Sequence, residues 1–408
     1  MQKYVPYIFI FVLFLVTCIA ACGGGSSSVT PVTDYTLPTT FATYSSLPNT
    51  LRGGAVQKGL ITTNAKFSNA KFSIFSASTV AGISGTTGIG FSNYTTPNGP
   101  PAKFNRPTDI TTDGVDFYVT DYNNNRIRKV TTEGKVSTLP VIGLLHPSGI
   151  TTDGTNLYVT DTGYNRIQVI SIATGLITTT IGSTTGLAGS VDVTVVPPAT
   201  TADITLARFN QPIGITTDGI NLYVTDFNNS TVRRIEIATK AVYTLAGVSG
   251  ATGSANGLPK DARFNRPGRI TTDGKYLYVT DFYNRTIRRI EISTGTVTTI
   301  AGIAGKLGFD NGTSSGIGSA AHFYQPNGIT TDGKNLYVTD SYHNTIRKVV
   351  ISTGAVTTIP LPSDSLHTPI GLTTDGISLF VADTYIEHMN QVTHEITYTF
   401  SNSILRIQ

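Results

Sequence analysis

Six residues that each stand directly before a proline could form a ring of hydrogen-bond donors. Each of these prolines opens one copy of a repeated segment, so the positions are equivalent: Arg106, His146, Gln211, Arg266, Gln325 and Thr368. The set contains two arginines and no carboxylate, which suits an anionic or sugar-like ligand because these groups donate to carboxylate and hydroxyl oxygens. The alternative is that the side chains only point into water. We take as candidate ligand-binding residues Arg106, His146, Gln211, Arg266, Gln325 and His367, which adjoins Thr368.

The repeated segment is centred on the sequence Thr-Thr-Asp-Gly. Its six copies begin at Thr111, Thr151, Thr216, Thr271, Thr330 and Thr373, separated by 40 to 65 residues. Each copy holds four short β-branched or aromatic runs bounded by turn residues, which is typical of strands. A period of about 40 residues or more with four strands predicts one β-propeller blade per copy. We name the strands a, b, c and d, with the Asp-Gly turn joining a to b.

The copy at residues 146–170, HPSGITTDGTNLYVTDTGYNRIQVI, closely resembles the NHL repeat. The other five copies follow the same pattern, mostly with Arg where that repeat often has Gln. The resemblance covers roughly residues 72–408. It implies an all-β chain folded as a six-bladed β-propeller and, most often, a binding role.

The last copy lacks strand d. It ends at strand c with the sequence NSILRIQ, whereas residues 75–85, FSASTVAGISG, match strand d of the other copies although they precede the first one. An unpaired edge would invite pairing with other chains. The sequence therefore predicts that an N-terminal strand completes the last blade and closes the ring.

Several side chains recur in every copy and are predicted to be structural. The aromatic residue of strand b is expected to pack between blades: Tyr118, Tyr158, Tyr223, Tyr278, Tyr337 and Phe380. The Asp before each Gly is expected to cap its own turn, and the Asp after strand b to close the next turn with a nearby Asn. The arginines of strand c could form a basic patch for RNA. We instead expect them to pair with acids of neighbouring blades or to face solvent: Arg128, Arg233, Arg288 and Arg347.

The b–c turns and d–a connections are expected to share one face of the ring, here called the upper face, because the strands of a blade alternate in direction. The long departures from the repeat fall in these segments: 183–207, 248–263, 303–322 and 384–401. All six histidines map there as well: His146, His322, His343, His367, His388 and His394. The upper face is therefore predicted to be the binding face.

The start of the chain predicts export and lipid attachment. Lys3 precedes an apolar run from Val5 to Ala21 that is short for a membrane-spanning helix and is followed at once by Gly and Ser. The stretch Ile19-Ala20-Ala21-Cys22 resembles the bacterial lipoprotein lipobox, which implies cleavage before Cys22 and acylation of that residue. An ordinary signal peptide is the alternative. The resemblance implies a bacterial cell-envelope protein, anchored by lipid to the outer membrane.

Composition bounds the remaining possibilities. The 408 residues are 39% apolar and 13% charged, with 41 Gly and 19 Pro, which indicates a large, turn-rich β protein. A net charge of +4 gives no argument for nucleic acid. The chain is expected to comprise a signal peptide (1–21), a flexible Ser/Thr/Gly/Pro-rich tether (22–71) and the propeller (72–408). Cys18 is lost with the signal peptide, so the mature chain keeps one cysteine, and disulfides and Cys-based zinc sites are excluded.

Two classes of function fit these features. The preferred one is a monomeric binding scaffold that presents the upper face to a protein, peptide or glycan, not to nucleic acid. The alternative is a metal-assisted lyase or lactonase-type hydrolase with its site at the channel mouth, for which two or three innermost histidines are expected. Only His146 and His367 come close to such positions. A divalent metal is therefore possible, but no cofactor and no catalytic residue are predicted.

Overall fold

The computed structural model describes residues 76–82, 102–195, 203–306, 316–389 and 396–408. The predicted signal peptide, Cys22 and the predicted tether lie outside these residues. Among the helices of the described part, none has the length and apolar character needed to cross a membrane.

The described residues form six antiparallel sheets, one for each predicted blade, and the predicted six-bladed β-propeller is confirmed. The strands are β1 (Ala77–Gly82), β2 (Pro107–Thr112), β3 (Phe117–Asp121), β4 (Arg126–Val130), β5 (Val136–Thr138), β6 (Pro147–Thr152), β7 (Asn156–Asp161), β8 (Arg166–Ser171), β9 (Ile177–Gly182), β10 (Pro212–Thr217), β11 (Asn221–Asp226), β12 (Thr231–Glu236), β13 (Val242–Ala246), β14 (Pro267–Thr272), β15 (Tyr276–Asp281), β16 (Thr286–Glu291), β17 (Val297–Ala301), β18 (Gly316–Ile317), β19 (Pro326–Thr331), β20 (Asn335–Asp340), β21 (Thr345–Val350), β22 (Ala355–Thr358), β23 (Pro369–Thr374), β24 (Leu379–Met389) and β25 (Ile396–Ile407). Short 3-10 helices span Tyr122–Asn124, Thr162–Tyr164, Phe282–Asn284, Gly318–Ala320 and Ser341–His343.

Blades 1 to 4 contain β2–β5, β6–β9, β10–β13 and β14–β17, blade 5 contains β18–β22, and blade 6 contains β23, β24, β25 and β1. Strand a is the innermost strand of each blade, and the a strands of successive blades lie side by side around the central channel.

The N-terminal strand closes the ring as predicted. β1 pairs antiparallel with β25, with Ala77 opposite Ile407 and Gly82 opposite Ser403. Ser76 and Gln408 exchange two backbone hydrogen bonds of 3.2 Å at the end of this ladder. Blade 6 is therefore assembled from both ends of the described chain.

The insertion at 384–401 extends blade 6 instead of forming a separate loop. β24 and β25 continue past the body of the blade as one antiparallel hairpin, with Tyr385 opposite Phe400 and Met389 opposite Ile396. The register shifts between Asp383 and Tyr385, where the hairpin leaves the blade.

The recurrent tyrosines pack between blades, which confirms that prediction. Tyr158 of blade 2, for example, is 2% exposed and belongs to the same apolar cluster as Ile215 and Leu222 of blade 3. Its hydroxyl donates to the second carboxylate oxygen of Asp153, at 2.7 Å. The first oxygen of Asp153 accepts the backbone N–H groups of two following residues, so this Asp caps its turn as expected.

Three of the long connections leave the upper face and pair with the outer strand of the next blade. After leaving the upper end of one blade, each descends to the outer strand of the next. There Val193 pairs with Val242, Gly257 pairs with Val297, and β18 pairs with β22. Each pairing lies at the lower end of strand d, so the expectation that these segments lie wholly on the upper face was wrong. The physical reason is the outer edge of strand d, whose N–H and C=O groups would otherwise be open to another chain.

The prediction for the strand-c arginines was also wrong. Arg128, Arg233 and Arg288 are fully buried and pair with the strand-b Asp of their own blade, at 2.9, 2.9 and 2.7 Å. Each also donates to the carbonyl four residues before the proline that opens strand a. Because Asp and Arg lie on adjacent strands of one blade, the pair is formed within that blade.

The same carboxylate accepts the backbone N–H that lies two residues before the proline. In blade 4, Asn265 N donates to Asp281 Oδ1 at 2.8 Å, while Asn284 Nδ2 and Arg288 donate to Oδ2. The prediction that this Asp closes the b–c turn with a nearby Asn is confirmed, and the Asp fixes the start of strand a as well.

In two blades another residue stands at the arginine position. In blade 2, Gln168 occupies the arginine position, and Arg166 instead donates to Asp161 at 2.7 Å and to the Gly143 carbonyl at 2.8 Å. In blade 6 the arginine position holds Leu405, opposite Val381 in the ladder. There Nδ1 of His367 lies 3.2 Å from Oδ2 of the fully buried Asp383.

We expect that deleting residues 72–84 leaves the ring open, because β1 is lost from blade 6. Several kcal/mol of lost pairing and burial lower the melting midpoint by at least about 5 °C in a domain of this size. Thermal melts and size-exclusion chromatography of the full chain check this. Deleting 13 residues of the predicted tether, 26–38, is the matched control. An unchanged melt and a monomeric 72–84 deletion would contradict closure by β1.

The stability of blade 6 is expected to depend on pH. The hydrogen bond to Asp383 raises the pKa of His367, with further help from the charges of Asp383 and Asp364. The stabilisation by charged His367 is therefore fully present below its unfolded pKa of about 6.5 and is lost as pH rises through the raised folded value. The melting midpoint of wild type should exceed that of His367→Leu most at low pH, with the gap narrowing as pH rises. A gap for His367→Leu that stays constant as pH rises would refute the coupling.

Candidate functional site

The residue before each proline lies at the start of strand a, on the upper face, and in blades 1 to 4 its backbone N–H is bonded to the previous blade. His146 N donates to Asn125 Oδ1 and Gln211 N donates to Asn165 Oδ1, both at 2.7 Å, and Arg106 N donates to Asn402 Oδ1 at 2.9 Å. The φ angles of Arg106, His146, Gln211 and Arg266 are between 50° and 57°, in the left-handed region. This backbone is uncommon for such residues and is held here by the neighbouring blade.

The predicted ring is not equivalent in all six blades. Gln325 lacks the positive φ, and its N–H donates to Asp340 of its own blade at 2.7 Å. The reason lies in the preceding blade, blade 4, whose b–c turn ends in Arg285 instead of Asn. An arginine side chain has no acceptor for the Gln325 N–H. The N–H groups of His367 and Thr368 likewise go to Asp383. Gln325 and His367 are half-buried, whereas Arg106, Gln211 and Arg266 are exposed.

Arg106 and His146 are brought together by an aromatic ring. Tyr122, the first residue of the b–c turn of blade 1, stacks on His146 with ring centroids 4.7 Å apart and planes 8° from parallel. The guanidinium of Arg106 lies 4.9 Å from the centre of the same ring. We call Arg106, Tyr122 and His146 the first Arg–aromatic cluster.

Arg266 has a similar environment on blades 3 and 4. Its guanidinium lies 5.1 Å from the ring centre of Tyr283 and 5.7 Å from that of Phe227, and Nη1 donates to the Tyr283 hydroxyl at 3.3 Å. Tyr283 is 45% exposed. We call Arg266, Tyr283 and Phe227 the second Arg–aromatic cluster. Cation–π contacts of this kind hold an arginine head in one orientation without neutralising its charge.

Blade 5 carries an aromatic pair without an arginine. Tyr324 and Tyr342 stack with centroids 3.9 Å apart, and Tyr342 is 62% exposed. The aromatic residues of these turns were missed by the analysis of the sequence. The signal was present in the residues that follow the strand-b Asp, as in TDYNNN, TDFNNS, TDFYNR and TDSYHN.

The central channel is closed beneath the upper face by one arginine. Arg269, the third residue of β14, is 4% exposed and reaches across the ring. Its Nη1 donates to the Ile213 carbonyl of blade 3 at 2.8 Å, and its Nη2 donates to the Thr108 carbonyl of blade 1 at 2.7 Å. Nη1 also lies 3.7 Å from Oδ2 of Asp109. Burial lowers the pKa of Arg269 and raises that of Asp109.

Glycines let the inner strands approach each other closely at the level of this arginine. The equivalent third residue is Gly in the other blades apart from blade 1, namely Gly149, Gly214, Gly328 and Gly371. A Cβ at Gly214 would lie 2.6 Å from the Gly268 carbonyl oxygen, so neighbouring inner strands could not approach as they do. Below Arg269 a cavity is lined by the six Thr residues that begin the Thr-Thr-Asp-Gly copies and by the aliphatic residue before each. A ligand on the upper face is thus separated from this cavity.

The two histidines considered as metal ligands have other partners. His146 stacks on Tyr122 of blade 1, and His367 pairs with Asp383 of blade 6. Within the described ranges, His, Cys, Asp and Glu form no group of three or more that could hold a metal ion.

Fold and repeat together define the class of protein. No family model matches the sequence. The sequence is 31% identical to human NHL repeat-containing protein 2 over 169 residues, which are 38% of this chain and 23% of the human protein. It is 29% identical over 157 residues to Arabidopsis thaliana protein SUPPRESSOR OF QUENCHING 1, chloroplastic, covering 36% of this chain and 14% of that one. The chain spans less than a quarter of these relatives, and the similarity together with the six blades supports an NHL-type propeller.

Solved structures share the fold. An auxiliary nutrient binding protein from Bacteroides thetaiotaomicron aligns with a TM-score of 0.57 and 15% identity, over 85% of this chain and 78% of that one. Another, from Bacteroides ovatus, aligns with a TM-score of 0.55 and 14% identity, over 82% and 76%. At these identities the likeness concerns the fold alone.

Replacing Arg269 by Met is expected to destabilise the full chain by about 3–5 kcal/mol, because Asp109 is left buried without a cation and two carbonyls lose their donor. The double change Arg269→Met with Asp109→Asn should recover part of this loss, since the unpaired charge is gone. Urea denaturation of the three proteins measures both effects. A single variant as stable as wild type would show that Arg269 is not a structural plug.

Proposed function

We propose that the protein is a lipid-anchored binding scaffold of the bacterial cell envelope that holds its ligand on the upper face of the propeller. The observation that carries the proposal is the pair of Arg–aromatic clusters. Arg106 and Arg266 are exposed, each is held over at least one ring, and neither has a carboxylate partner among the described residues. Such groups retain their capacity to bind an acceptor from outside.

The placement of the chain ends supports the anchored arrangement. Ala77, the first residue of β1, lies opposite Ile407, which in turn lies opposite Leu379 at the start of β24. Because strand b starts at the a–b turn, this end of the blade belongs to the lower face. β1 therefore begins at the face opposite the clusters. Acylation of Cys22 in the outer membrane would leave the upper face free for a protein, peptide or glycan.

The closed channel favours binding over catalysis within the ring. Arg269 confines a ligand of the upper face to the surface, where water has access. The alternative, a metal-assisted lyase or lactonase-type hydrolase, needs ligands at the channel mouth. Its two candidate histidines, His146 and His367, belong to blades 2 and 6 and already contact Tyr122 and Asp383.

The proposal is tested by replacing both Arg106 and Arg266 with Ala in the full chain. Each lost charge-assisted hydrogen bond is worth about 1.5–3 kcal/mol, so capture of the specific component from an envelope extract should fall at least about tenfold. The melting midpoint should not change, because both side chains are exposed. Recovered protein, peptide and sugar are measured by mass spectrometry, and the same samples are analysed for bound metal.

Lys275→Ala is the matched control. Lys275 is also an exposed cation over a ring, 4.9 Å from the centre of Tyr276, but it lies in an a–b turn of the lower face. Equal capture by wild type and the double variant would refute the upper-face site. Stoichiometric metal, with a melting midpoint that chelator lowers, would favour the enzyme alternative instead.

A further inference from the structure

Among the described residues, carboxylates occur on both faces of the ring. The turns of the lower face carry Asp113, Asp116, Glu133, Asp153, Asp218, Glu236, Asp273, Glu291, Asp332 and Asp375. On the upper face, the Asp that ends strand b is fully buried in all six blades. The connections add Asp192, Asp203, Asp261 and Asp364, of which Asp192 pairs with Arg233 and Asp261 with Lys260. The strand-b carboxylates near the rim are therefore held inside the blades, and none of the described carboxylates pairs with Arg106 or Arg266.

On each side of the ring, two other hydrogen-bond donors separate the two arginines of the rim. Arg106 precedes strand a of blade 1 and Arg266 precedes strand a of blade 4. These two blades lie on opposite sides of the ring of six blades. Between them, His146 opens blade 2 and Gln211 opens blade 3, and Gln211 is exposed. A ligand that touches both arginines thus crosses the mouth of the closed channel and passes neutral hydrogen-bond donors on the way.

Exposed tyrosine rings accompany these donors. Tyr164, Tyr283 and Tyr342 are 37%, 45% and 62% exposed and belong to the b–c turns of blades 2, 4 and 5. Each has a contact that holds its ring: Arg166 lies 4.5 Å from the centre of Tyr164, Arg266 lies over Tyr283, and Tyr324 stacks on Tyr342. A ring held in this way offers apolar surface to a ligand at a small cost in side-chain entropy.

We propose that the ligand of this face is an acidic oligosaccharide that bears uronate carboxylates. The two arginines would each receive a carboxylate, the tyrosine rings would pack against the apolar faces of the sugar rings, and Gln211 would bond a hydroxyl. This inference rests on the proposed function and names the ligand class for the same site. Two arginines separated by neutral donors fit a ligand whose carboxylates are spaced along a chain of neutral hydroxyl groups. A nucleic acid, with one phosphate per nucleotide, is matched by a continuous basic track.

Isothermal titration of the purified full chain with two uronate probes tests the class. The probes are a hexamer of galacturonate and a hexamer of hyaluronan, in which acidic and neutral sugars alternate. Each is compared with its methyl ester, which keeps the sugar backbone and removes the charge. At least one acid form should bind at least about tenfold more tightly than its ester, corresponding to one lost charge-assisted contact.

Variants assign the contacts. Arg106→Gln and Arg266→Gln should each weaken binding at least about tenfold. Arg266→Lys should recover only part of the loss, because an ammonium lacks the planar fork that bonds a carboxylate twice. Tyr342→Ala should weaken binding and Tyr342→Phe should preserve it, since the ring face and not the hydroxyl makes the contact. Lys275→Gln, the equivalent change on the lower face, should leave binding unchanged.

Three results would overturn the inference: no binding of either acid, equal binding of acids and esters, or tighter binding of a six-nucleotide single-stranded RNA. They are separable from failure of the proposed function. If the Arg106 and Arg266 variants lose an envelope component while neither hexamer binds, the upper face is a binding site and the ligand class is wrong. If those variants capture the same components from the extract as wild type does, the proposal of a binding site on the upper face is wrong.

Discussion

The structure depends on one buried carboxylate per blade, the Asp that ends strand b. In blade 4, Asp281 receives the backbone N–H of Asn265, the amide of Asn284 and the guanidinium of Arg288, so one side chain joins the incoming connection, the b–c turn and strand c. Burial raises the pKa of Asp281 to about 6 although Arg288 acts in the opposite direction. Removing one partner of such a buried pair would leave the other charge without compensation, so the pair fixes the relative placement of these segments.

That placement determines where side chains can act. Because the Asp holds the residue two positions before the proline, the next residue must turn sharply into strand a, and it does so with a left-handed backbone bonded to the preceding blade at Arg106, His146 and Gln211. The scaffold therefore supplies similar upper-face positions in several blades. The identity of the residue at each position, and of the aromatic residue in the adjoining turn, then gives each blade its own chemistry.

Features encoded locally could be predicted from the sequence. Six blades, the closing strand β1, the inter-blade tyrosines and the capped Asp-Gly turns follow from the strand and turn pattern of one copy and from its repetition along the chain. Other features depend on contacts between distant copies. Arg269 and Thr108 are 161 residues apart and meet only because the ring closes. Val193 and Gly257 lie in segments without hydrophobic periodicity, so their pairing with the outer strands could not be predicted from the sequence. Arg288 was expected to pair with a neighbouring blade or to face solvent. It is seven residues from Asp281 along the chain, and the strand pairing places the two only two positions apart on adjacent strands, where they form an ion pair.

The closing arginine connects the fold to the kind of function that the ring can support. In four blades the third inner residue is Gly, in blade 1 it is Asp109, and in blade 4 it is Arg269, which bonds to blades 1 and 3. A buried cation at this level separates the lower cavity from the rim and holds inner strands from opposite sides of the ring. A ligand that contacts the rim residues is therefore on the opposite side of Arg269 from the lower cavity. Recognition on the upper face must come from exposed groups held in fixed orientations, and Arg106 over Tyr122 and Arg266 over Tyr283 are groups of that kind.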